Sequence, residues 1–288
     1  MKKLSPFILL ILPFMVYAQQ PPGTEIYLLD LSVKKSGVTV SNPQNITNKP
    51  GYDNQPFFHP DKPLLYYASA NAEAKTDLVE YNIKTKAARN LTNTSEREYS
   101  PTVTPDKKFL SCIIQRDDGV QDLGKYPIDG GQAEVLINTL KVGYHAWADD
   151  GHAIVFALGE PNTLRLYSLQ EKKDLWLADS VGRSIHVVPG SKNISFVDKS
   201  KTGQWTIKII ESIDKVSKVV ETLPGREDLA WMPDGKIIMS DGKKLFYFQP
   251  GKTSTWAEIQ MPTVMPTGTI TRLAVNQKGN ALAIVVAE

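Results

Sequence analysis

The sequence predicts an all-β fold: a six-bladed β-propeller of four-stranded antiparallel blades, closed by a composite blade from N- and C-terminal strands. Three observations carry that prediction. A short strand–turn–strand pattern recurs six times, its spacing is nearly constant, and the two ends of the chain supply complementary halves of the sixth unit. A long period built from short strands is the mark of propeller blades. No long window shows apolar spacing at a helical period, which sets helical repeats aside.

The recurring unit is an apolar or aromatic residue, a turn rich in Pro, Asp, Gly and Lys, and then a β-rich run. Its turn position is held by Pro60, Pro105, Asp149, Pro189, Pro233 and Gln277, with successive gaps of 45, 44, 40, 44 and 44 residues. Pro fixes φ, and the Asp or Gly that follows tolerates the bend, so each cluster makes a tight turn. The residue before the turn ends a first strand (A), and the run after it begins a second (B). A third strand (C) follows at residues 77–82, 164–169, 205–210 and 244–248, and a fourth (D) at 88–92 and 133–137.

Closure is the next inference. The last copy stops at Glu288 after strands A and B, whereas the chain opens with residues 25–31, which read as a strand C, and 38–47, which read as a strand D. Five continuous blades and one composite blade follow, six in all. Such a blade also covers edges that a propeller has to protect from stray pairing.

Ahead of the first strand, Lys2 and Lys3 precede the apolar run Phe7 to Val16, and Val16-Tyr17-Ala18 offers a small-residue exit. That is the layout of a secretory leader, and the run is short for a bilayer span of about 20 residues. The expected organisation is a leader at 1–18 and a single propeller domain at 19–288, periplasmic or secreted, with no integral membrane segment after cleavage. Taking away Lys2 and Lys3 leaves 31 basic against 31 acidic side chains. A neutral chain without basic blocks is a poor nucleic-acid binder. The single Cys112 lies in an apolar run and reads as a small buried hydrophobe.

The stretches Asn54-Gln-Pro-Phe-Phe-His-Pro-Asp-Lys62, Tyr99-Ser-Pro-Thr-Val-Thr-Pro-Asp-Lys107 and Trp231-Met-Pro-Asp-Gly-Lys236, with Ile26-Tyr27, Ile46-Thr47 and Leu91-Thr92, resemble the TolB-type, WD40-like propeller repeat. The resemblance covers the chain after its leader and is most eroded in the fourth and sixth copies. It implies the propeller fold without the α/β domain that precedes the propeller in TolB.

Functional residues are expected in the loops leading into strand A, because those loops crowd one mouth of a central channel. They carry Tyr52, Asp53 and Asn54; Arg97, Glu98 and Tyr99; Tyr144 and His145; Arg183 and Ser184; Arg226, Glu227 and Asp228; and Thr271 and Arg272, with His186 on the following strand. One reading is a polar mouth that grips a protein or an extended polymer, peptide or glycan, with Tyr and Arg as anchors. The other is a set of ion pairs and hydrogen bonds that tie neighbouring blades together. His145 and His186 with Asp53, Glu98 or Asp228 would suit a divalent metal, as in propeller lyases acting on acidic sugars. His59 and His152 occupy turns, where exposure is expected. There is no Gly-x-Ser-x-Gly elbow, and neither a catalytic group, a cofactor nor a bound metal is assigned. The leading expectation is therefore a non-catalytic binding propeller, and a metal-assisted lyase is the alternative. Phe58, Trp147 and Trp231, recurring before the turns, are expected to pack between blades.

Overall fold

The computed structural model describes residues 22–35 and 37–287; the expected leader lies outside the described residues. Six four-stranded antiparallel sheets account for all the named strands. The innermost strand A of blades 1 to 6 is Asp53–Phe58, Arg97–Val103, Val142–Trp147, Val181–Val187, Leu229–Trp231 and Thr269–Val275. Among the described residues no helix is long and apolar enough to cross a membrane.

The sixth blade is the composite one. Thr24–Lys34 pairs antiparallel with the C-terminal strand Ala281–Ala287, from Thr24 opposite Ala287 to Asp30 opposite Ala281. Gly37–Asn45 adds the outer strand, and Thr269–Val275 the inner one.

Burial grades outward through each blade. Strand B is covered on both faces, so its sequence is a continuous apolar run rather than an alternation. Ala153, Ile154 and Val155 are fully buried, as are Leu282, Ala283, Ile284 and Val285. Strand D forms the outer rim, and Ala88–Asn90 is wholly exposed there. One apolar cluster fills each seam between neighbouring blades. Tyr66 and Leu78 of blade 1 meet Leu110 and Cys112 of blade 2, and Leu29 and Val40 of blade 6 meet Ile238 and Leu245 of blade 5.

The Ile-Thr and Leu-Thr pairs of the repeat have a defined task. Thr47 Oγ1 accepts the Ile26 N–H at 3.0 Å, and Thr92 Oγ1 accepts the Leu78 N–H at 2.8 Å. Each hydroxyl thus fastens the end of strand D to the start of strand C.

Two expectations need adjusting. His59 is buried, not exposed: its Nδ1 accepts the backbone N–H groups of Asp61 and Lys62 at 3.0 and 3.1 Å, so the imidazole itself organises the turn. Trp147 and Trp231 pack between blades as expected, yet they are only half-buried because they also face the channel. Their indole N–H groups donate to Ser111 and Ser195 of the preceding blade at 2.9 and 2.8 Å.

Candidate functional site: a polar ring in the central channel

Counting back five residues from each turn residue lands on Gln55, Ser100, Tyr144, Ser184, Asp228 and Arg272. All six are polar, and all six line one cavity of about 550 Å³. Every blade's innermost strand contributes to its wall, so the cavity is the central channel. The next position along the strands holds Pro56, Pro101, His145, Ile185, Leu229 and Leu273, which is mostly apolar. Among these two levels the polar side chains concentrate in the first.

The backbone explains why that level faces inward. Strand pairing slips between Asn54 and Phe57, Tyr99 and Thr102, Val142 and Tyr144, Val181 and Ile185, and Ile270 and Arg272. A bulge bends its strand and re-aims a side chain, and each of these falls at the ring position. Gln55 and Ser100 adopt φ of 58° and 54°, a region few residues other than Gly enter. The Ser100 N–H donates to Gln55 Oε1 at 2.7 Å, which links blades 1 and 2 at ring level.

On the other side of the ring the polar groups form a charged network. Arg183 donates from Nε and Nη2 to the two Asp228 oxygens at 3.1 and 2.6 Å. Arg272 Nη1 stands 3.6 Å from Asp228 Oδ1, and its Nη2 donates to the Tyr144 hydroxyl at 2.5 Å. Burial works against the Arg183 charge, but the Asp228 carboxylate outweighs it and holds the pKa above its ordinary value. Tyr144 and Arg272 sit on blades 3 and 6, directly opposite each other, so their contact bridges the channel. From this level the cavity extends toward the A–B turns at Pro60, Pro105 and Pro189.

The two channel histidines are neutral. His145 is pushed down to about 3 by burial, and His186 to about 4 by burial against the opposing pull of Asp228. His145 Nε2 lies 2.7 Å from Ser111 Oγ, which donates to the Thr102 carbonyl and accepts the Trp147 indole N–H. With its single proton committed to Thr102, the Ser111 hydroxyl accepts from Nε2–H. That leaves His145 Nδ1 as an acceptor, and it has no partner. His186 Nε2 is 3.0 Å from Ser184 Oγ.

The structure brings Tyr144, His145, Arg183, Ser184, His186, Asp228 and Arg272 of the expected residues to the cavity wall and places the others elsewhere. Asp53 and Asn54 stitch blade 1 to the closing blade: Thr24 Oγ1 donates to the Asp53 carbonyl at 2.9 Å and accepts from Asn54 Nδ2 at 3.4 Å. Glu98 is fully buried in blade 2, accepting hydroxyls from Thr92, Thr94 and Tyr126. Burial raises the pKa of both acids. Arg226 turns to the Asp241 carbonyl at 2.5 Å. Tyr52 and Tyr99 meet edge-on at 6.1 Å, and burial raises the Tyr52 phenol pKa despite nearby Arg272. Gln55 and Ser100 were not among the expected residues; counting a fixed distance back from every turn finds them.

The candidate metal ligands are spread over separate settings. His145 and His186 each commit Nε2 to a serine, Asp228 lies between two guanidiniums, and Asp53 and Glu98 are enclosed within the blades. Among the described residues no three His, Cys, Asp or Glu side chains gather around one point.

No family model matches the chain, and no curated protein matches it. Solved structures do. A TolB-type protein of Agrobacterium tumefaciens superposes with a TM-score of 0.69 at 13% identity, covering 93% of this chain and 99% of that one. The fold is that of the TolB propellers. TolB from Acinetobacter baumannii superposes with a TM-score of 0.59 at 12% identity over 92% of this chain and 65% of its own. An oligogalacturonate lyase in complex with manganese gives a TM-score of 0.60 at 13% identity, over 87% and 82%. The TolB-like architecture thus extends through the whole described propeller, while at these identities the likeness speaks for fold alone.

Proposed function

We propose that this chain is an exported, non-catalytic TolB-like propeller whose central channel binds part of a protein or another extended ligand. One observation carries the reading: a ring of six polar side chains, one from each blade, closes a cavity of about 550 Å³ that is walled above the ring by tryptophans and prolines. That volume is within the range of sites that take a small molecule or a few residues of a chain. Convergent polar groups on a largely apolar wall give orientation and specificity without requiring a catalytic group. The likeness to two TolB structures supports a binding role near the cell envelope.

The test is capture from envelope extract by the immobilised protein, with Arg272→Gln and Trp231→Ala side by side as channel variants. A partner retained by the parent and released by both variants supports the reading. Equal retention by all three would place the partner elsewhere on the surface.

A lyase acting on an anionic sugar is the second reading, favoured by the structural likeness to the oligogalacturonate lyase and by paired arginines in the channel. Incubation with polygalacturonate and added manganese discriminates. Ultraviolet absorbance from an unsaturated product, lost in the His145→Gln/His186→Gln double variant, would establish it.

A further inference from the structure

The chemistry of the channel floor specifies more than a polar mouth. Resting on the reading that the channel binds an extended ligand, we infer that the Arg183–Asp228–Arg272 floor is a seat for a chain-terminal carboxylate, the C-terminus of a peptide that enters from the A–B turn end.

Shape is the first argument. The Arg272–Tyr144 contact joins opposite blades, so the cavity ends at the ring. A chain entering from the turn side cannot be threaded through and presents an end.

Charge is the second. Asp228 is the one acidic side chain on the cavity wall, and it faces two guanidiniums, Arg183 and Arg272. The third cation on the wall, Lys107, is already paired with Asp61 at 2.6 Å. Behind the wall Glu227 accepts the Arg183 backbone N–H at 2.9 Å and is itself paired with Lys199 at 3.5 Å. The floor is left with one positive charge in excess, and a partly desolvated excess charge is relieved by an anion brought by the ligand. Arg183 spends two N–H groups on Asp228 and Arg272 one on Tyr144. A guanidinium has more donors than that, in a fork matched to a carboxylate.

The wall is the third argument. Trp147, Trp231, Ile185, Leu229 and Leu273 surround the space, and both indole N–H groups are already used by serines. Apolar walls with committed donors suit hydrophobic side chains better than a hydroxyl-covered sugar.

The experiment offers the immobilised full-length protein two pools of short random peptides, identical except that one ends in a free carboxylate and the other in an amide. A third arm offers an oligogalacturonate. Retention is read by mass spectrometry at low and moderate salt. The expected result is preferential retention of the free-acid pool by about tenfold or more, weakened by salt. Arg272→Gln should lose that preference, Arg272→Lys should regain part of it, and the outer-rim variant Arg89→Gln should keep it. A free-acid preference that survives Arg272→Gln would overturn the assignment of the seat. Equal retention of the two pools would overturn the carboxylate seat and leave peptide binding standing. Retention of the oligogalacturonate alone would overturn it in favour of the sugar reading. Retention of nothing would overturn both the seat and the function it rests on. The two-pool comparison uses the unaltered protein, so it holds even if a variant fails to fold.

Discussion

Arg272 Nη2 lies 2.5 Å from the Tyr144 hydroxyl, although the two residues are 128 positions apart and on opposite blades. The guanidinium carbon also stands 5.0 Å from the centre of the Tyr144 ring. In a six-fold arrangement, a bond between blades three apart is a bond across the axis. The contact therefore does two things: it braces the propeller internally, and it ends the channel.

Removing only the hydroxyl tests the brace. Tyr144→Phe keeps the ring beneath the guanidinium but takes away its acceptor. Hydrogen bonds to charged groups contribute about 1.5–3 kcal/mol, and the partial exposure of Arg272 places the expected loss near the lower limit. Urea unfolding of Tyr144→Phe, Arg272→Gln and the double variant should show coupling of about 1 kcal/mol. Strict additivity would mean that the two side chains do not interact in solution.

The two tryptophans give a matched pair of measurements. Trp231→Ala opens a space between blades 4 and 5 and should destabilise by about 3–5 kcal/mol. Trp231→Phe keeps most of the packing and loses the donor to Ser195, for which about 1 kcal/mol is expected. The equivalent changes at Trp147, whose partner is Ser111, should follow the same order because the geometry repeats. Unchanged melting of Trp231→Ala would show that the indole does not hold the seam.

The repeat was legible because its residues act locally. Pro60 and Pro105 shape turns within their own blades, and Thr47 and Thr92 fasten the strands on either side of them. Closure was legible for a similar reason, since two missing strands at one end match two unclaimed strands at the other. The channel was harder. Asp53, Glu98 and Arg226 are as polar in sequence as Asp228 and Arg272, but the first three satisfy seams, blade interiors and loops. Polarity alone does not separate a stitch from a ligand contact. For Arg272 what separates them is the bulge that turns one position inward, and a bulge depends on the register between two strands, whereas Asp228 stands one residue ahead of the regularly paired Leu229–Trp231. The sequence pointed to the loops leading into strand A, whereas the cavity extends from the ring toward the turns. The reach of Arg272 across the axis is a property of the assembled ring and has no signature in either repeat.

Acid should destabilise the propeller through its channel imidazoles. Burial lowers His145 from its ordinary value of 6.5 to about 3, so the folded protein holds it neutral where the unfolded chain takes up a proton. Stability is then full above about pH 6.5 and falls as the pH drops toward 3. At about pH 5 the loss from His145 alone is about 2 kcal/mol. The buried carboxyls of Asp53 and Glu98 act in the opposite sense, because their raised values favour the protonated folded state as pH falls through the carboxylate range. Comparing the parent with His145→Gln isolates the imidazole. The variant should lose less stability between pH 7 and pH 5, by about that amount. Parallel curves would place His145 in a solvated setting.

The closing blade carries the sharpest structural prediction. Residues 26–46 supply most of strand C and all of strand D of blade 6, and through Leu29, Leu31, Val38 and Val40 they fill the seam against Met232, Ile238 and Leu245 of blade 5. Their removal would uncover the Ala281–Ala287 edge, which Thr24–Lys34 now pairs, and leave Ile26's place empty against Leu65 and Tyr67 of blade 1. Both neighbours of the gap lose apolar cover at once, and no local rearrangement within one blade can replace it. The truncated chain should therefore lose the single sharp thermal transition of the parent and bind a hydrophobic dye at temperatures where the parent does not. Because Arg272 sits on the inner strand of the same damaged blade, the brace to Tyr144 should fail with it, and the channel should lose its floor. A truncated protein that melted as one cooperative unit at the parental temperature would show that the ring does not depend on the joining of its two ends.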